Sequence, residues 1–77
     1  MSARLNEVVV HINESLDEDA LHRLEEGIRG DAGVVSVGHS PDQSHMIMVV
    51  YDSDATRASS LLHSFAERGL HAQVVGL

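Results

Sequence analysis

The chain has 77 residues, a net charge of −7, five arginines and neither lysine nor cysteine. An acidic chain offers no basic footprint for nucleic acid or an anionic membrane, and without cysteine it has no thiolate metal site, thiol redox centre or cysteine nucleophile. Its hydrophobic fraction of 43% is that of a globular protein, so a single domain over 1–77 is expected, near the lower size limit for folding alone.

The start, Met-Ser-Ala-Arg-Leu-Asn-Glu, has no apolar stretch of the signal-peptide kind, and no run approaches membrane-spanning length. The expected location is cytoplasmic. Val8-Val9-Val10-His11-Ile12 is a β-branched run and predicts the first strand. Ser15 followed by Glu18 is a capping-box pattern, and Asp17, Glu18 and Asp19 favour a first helical turn. Leu16, Ala20, Leu21, Leu24 and Ile28 recur at helical spacing, which predicts a helix from about Leu16 to Arg29, stopped by Gly30.

Val34 to Val37 predicts a second strand, and Ser40-Pro41-Asp42-Gln43-Ser44 a turn. Met46 to Tyr51 predicts a third strand, forming a hairpin with the second. Asp52, Ser53 and Asp54 offer caps for a second helix, whose buried stripe is Ala58, Leu61, Leu62 and Phe65. Gly69 ends that helix, and Leu70 to Val75 is the last strand. Two right-handed crossovers then give an α+β, ferredoxin-like β-α-β-β-α-β sandwich. Its antiparallel four-stranded sheet has the order 4-1-3-2, with both helices on one face.

Gly33-Val34-Val35-Ser36-Val37, Val49-Val50-Tyr51-Asp52 and Phe65-Ala66-Glu67-Arg68-Gly69-Leu70 together resemble the heavy-metal-associated domain family, over nearly the whole chain. These are the small metal chaperones and the N-terminal modules of metal-pumping ATPases. The resemblance implies the same fold. That family carries soft metal on a Cys-x-x-Cys at the start of the first helix, and counting back from Gly33 puts those positions at about Asp17 and Ala20. Neither is a thiol, and carboxylates do not select Cu(I), so no metal residue carries over from the family.

Strand parity defines an unusual sheet face. With Val8, Val10 and Ile12 toward the helices, the opposite face carries Val9, His11, Met46, Met48, Val50, His71 and Val75. A largely apolar face of roughly 400–600 Å² is at or above the largest patch on a typical monomer. It is expected to pack against a second copy or a partner domain. The same face offers His11 and Met48 as imidazole and thioether donors, which suit copper. His39 and His45 flank the hairpin turn symmetrically and are expected to oppose one another. With help from Asp42 they would make a weak site for Zn, Ni or Cu(II). His22 and His63 are expected to pair with helix carboxylates at i±4.

The acidic group Glu14, Asp17, Glu18 and Asp19 lacks the spacing of a calcium loop and is read as helix capping. No nucleophile, phosphate-loop or dinucleotide motif is present, so no enzyme activity is expected. Three functions remain. The first is a non-catalytic interaction module, self-associating through the open sheet face. The second is a metal-binding or metal-transport protein using histidine and methionine. The third is a ligand-sensing regulatory domain of the ACT type, which shares this strand and helix order.

Overall fold

The computed structural model describes residues 4–76. In chain order it contains β1 (Leu5–Ile12), α1 (Glu18–Arg29), β2 (Val34–Gly38), β3 (Met46–Asp52), α2 (Ala58–Glu67) and β4 (Ala72–Gly76). The sheet is antiparallel with order β2-β3-β1-β4, which is the expected ferredoxin-like arrangement. The central pair is in continuous register from Leu5 opposite Asp52 to His11 opposite Met46. β1 therefore begins three residues earlier than its apolar run, because the Leu5-Asn6-Glu7 backbone has β3 to pair with.

Alternation along the two central strands decides which face is covered. Val8, Val10 and Ile12 from β1 and Ile47, Val49 and Tyr51 from β3 are buried. They join Leu21, Leu24 and Ile28 of α1 and Leu61 and Phe65 of α2 in one core. α1 lies over β2 and α2 over β4. Both edge strands are short and irregular. Val35 is an extra residue where β2 meets β3, and Val75 is one where β4 meets β1. Bulges of this kind twist an edge away from further strand pairing.

Two helix starts differ from the sequence expectation. α1 is capped by Asp17, whose Oδ1 accepts from the Ala20 amide at 2.8 Å, and Ser15 plays no part. The Ser15 hydroxyl instead lies 3.4 Å from His45 Nε2, a partner thirty positions away that local pattern does not reveal. α2 begins at Ala58 behind Arg57, which makes no side-chain cap. Asp52 is used earlier, in a turn where its Oδ1 accepts from the Asp54 amide at 2.9 Å. The far end of α2 follows expectation. Gly69 adopts φ +82, and the Gly69 and Leu70 amides donate back to Ala66 and Phe65, closing the helix as a Schellman turn.

Candidate functional site

The uncovered sheet face is built from the alternate residues of the central strands. His11 stands opposite Met46 on one side and Gln73 on the other, and Val9 stands opposite Met48. Met48 and Val75 are each 46% exposed, whereas Val9, His11, Met46 and Val50 are half-buried. A shallow groove of about 440 Å³ runs between Val9, Met46, Met48 and Val50 and the β2 edge from Ser36 to Ser40. Expected metal donor Met48 is thus one step removed from His11, and Met46 is its direct cross-strand neighbour.

His45 completes a cluster at this end of the sheet. Its ring stacks on that of His11, with centroids 5.8 Å apart and planes 18° from parallel. Its Nδ1 lies 2.8 Å from the Ile12 carbonyl oxygen. A carbonyl only accepts, so Nδ1 carries the proton and the neutral ring presents Nε2 as a lone pair. That nitrogen faces the β1–α1 loop, where Ser15 Oγ is its neighbour at 3.4 Å. His11 Nδ1 is buried and has no hydrogen-bond partner. An unsatisfied buried polar atom carries a cost of about 1–3 kcal/mol.

The structure does not oppose His39 and His45. The β2–β3 register pairs Gly38 with Met48, so positions 39 and 45 are out of step. The connection makes two successive turns, closed by Gln43 to Ser40 and by Met46 to Gln43, and these take up unequal lengths of the two strands. His39 is drawn to α1, where its Nδ1 lies 2.5 Å from Glu25 Oε2 and its Nε2 lies 3.8 Å from Glu18. The hydrogen bond to Glu25 raises the His39 pKa against the opposing effect of burial. Glu25 is buried between Leu21, Leu24 and Ile28. A carboxylate inside the apolar stripe of a helix needs a partner. Glu25 interrupts that stripe between Leu24 and Ile28, a signal absent from the sequence expectations above and one that does not by itself name His39.

The remaining histidines are dispersed. His71 precedes β4, and its Nδ1 lies 2.6 Å from Glu14 Oε2 while its amide donates to Glu14 Oε1. These bonds lower the Glu14 pKa, the side-chain bond first. His63 pairs with Glu67 at 3.4 Å, one helical turn away. His22 makes no ion pair among the described residues. Among those residues, no three histidine or carboxylate side chains are arranged to hold a metal. Where the family carries its thiols, Asp17 is occupied as a cap and Ala20 offers no donor. That position does not fit a soft metal.

No protein-family model matches the chain, and no curated protein matches it. Solved structures do match. Oxidized MerP from Ralstonia metallidurans superimposes with a TM-score of 0.81 at 17% identity, over 92% of this chain and 97% of that one. A copper binding domain from HMA7, a P-type ATPase, gives 0.82 at 14% identity, over 91% and 93%. The copper chaperone of Enterococcus hirae, in its apo form, gives 0.77 at 19% identity, over 88% and 98%. The likeness is one of fold. The chain has the β-α-β-β-α-β fold of heavy-metal-associated domains, as its sequence resemblance implies, and it has no cysteine.

Proposed function

We propose that this chain is a non-catalytic metal-binding module that holds a soft or borderline ion, copper(I) foremost, with imidazole and thioether in place of thiolate. His11, His45 and Met46 form the donor set, with Met48 as the next donor along β3. The observation that carries this is the buried, unpartnered Nδ1 of His11 beside a second imidazole and opposite a methionine. Imidazole suits Zn, Cu and Ni alike, whereas thioether favours Cu(I). The Nδ1 bond of His45 to a backbone carbonyl is the kind of outer contact that orients a ligating histidine. Copper appears in the names of two of the three similar structures described above.

Calorimetric titration with Cu(I), Zn and Ni tests this. One equivalent of Cu(I) binds more tightly than about 10 μM, near −7 kcal/mol on the affinity scale. His45→Ala or the pair His11→Ala and Met46→Leu weakens it at least tenfold or so. Binding weaker than that limit for all three metals, or indifferent to these substitutions, rejects the reading.

A second reading has its own support. The uncovered face exposes Met48 and Val75, and the bulged edges oppose sheet extension. Self-association would then run face to face, through Val9, His11, Met46, Met48, Val50 and Val75, with His71 at the margin. Sedimentation at rising concentration tests it, and a monomer throughout removes it.

A further inference from the structure

Among the helices, away from the uncovered sheet face, a second groove lies between α1 and the end of α2. Leu16, Ala20, Leu24 and Leu70 line its floor, Arg23 and Arg68 line its rim, and its volume is about 320 Å³. Two of the chain's five arginines thus flank one apolar groove in a protein of net charge −7. Arg4 lies 4.0 Å from Asp54, and Arg29 donates to the Val37 carbonyl. Among the described residues neither Arg23 nor Arg68 has a carboxylate partner, although Asp19 and Glu26 lie one turn from Arg23 along α1.

Arg68 is held in place. Its Nη1 donates to Ser64 Oγ at 2.8 Å and to the Ser64 carbonyl at 3.0 Å. The rest of the guanidinium lies against Gly27 of α1, where a Cβ would sit 2.5 Å from Nη2 and 3.0 Å from Nε. A glycine in a helix interior lowers helix stability relative to alanine. Here it makes room for a fixed cation at the rim of an apolar floor.

We propose that this groove docks an acidic segment of a partner protein, which sets an apolar side chain on Leu16, Leu24 and Leu70 and its carboxylates on Arg23 and Arg68. Guanidinium–carboxylate bonds are charge-assisted and directional, and arginine is enriched among residues that dominate interfaces. Small-molecule sites enclose most of their ligand. This groove is shallow and open along its length, which fits an extended or helical chain segment. It is separate from the histidine and methionine cluster and owes nothing to metal.

Panning a randomised peptide library against the whole chain, in the presence of a chelator, tests the proposal. Enriched peptides place Asp or Glu beside Leu, Ile or Phe, and their amide shift changes map to the groove. Arg23→Ala and Arg68→Ala each weaken the selected peptide about tenfold, the loss of one charge-assisted bond. Gly27→Ala leaves Tm equal or higher yet weakens the same peptide, because its methyl displaces Arg68. No enrichment, enrichment without acidic residues, or binding that survives the double arginine substitution or Gly27→Ala overturns it.

Discussion

Glu25 and His39 show most clearly how single residues set this protein's behaviour. The carboxylate is 8% exposed and the imidazole 12% exposed. Removing His39 leaves a buried carboxylate without its partner, so His39→Ala is expected to cost about 2 kcal/mol in urea unfolding. The folded pKa of His39 is raised above the ordinary 6.5. Its contribution to stability is therefore fully present below about 6.5 and is lost as pH rises through the higher folded value. Glu14 has the opposite sign. Its pKa is lowered below the ordinary 4.5, so its contribution is present above about 4.5 and is lost as pH falls through the lower folded value. Stability measured against pH should fall on the alkaline side in the wild type, and Glu25→Gln should flatten that limb.

At the scale of elements, the two helix starts separate local pattern from tertiary use. Asp17→Ala should cost about 1 kcal/mol, whereas Ser15→Ala should cost far less, although both lie in cap-like positions. Arg57→Asp should stabilise by about 1 kcal/mol, since α2 has no side-chain cap to lose. Denaturant midpoints of the three variants check these together. The number, order and type of elements were legible in the sequence because strand and helix periods differ and each run is short and bounded. The starts were less legible. Ser15-x-x-Glu18 has a sound capping pattern, but Asp17 makes the cap, and the Ser15 hydroxyl lies beside His45, which arrives from the distant β2–β3 turn. The hairpin misled for a related reason. Symmetry about Asp42 suggested an opposed His39 and His45, and two successive turns shifted the register.

For the molecule as a whole, one core residue carries much of the link between helices and sheet. Phe65 is fully buried, and Phe65→Ala should cost about 3–5 kcal/mol, a large part of what a chain of this size has to lose. The sheet face was legible from alternation alone, including Val9, His11, Met46, Met48 and Val50. The partnership of His11 with His45 was not, since it depends on the path of the hairpin rather than on spacing. That partnership is the basis of the metal proposal, and it makes a prediction residue by residue. Two-dimensional NMR of the six imidazoles during Cu(I) titration observes it directly. The account predicts that His11 and His45, with the Met46 methyl, shift together and saturate at one equivalent while His22 and His63 stay unmoved. Progressive shifts of all six histidines, or a response led by His39 and His71 with His11 and His45 unchanged, would contradict it.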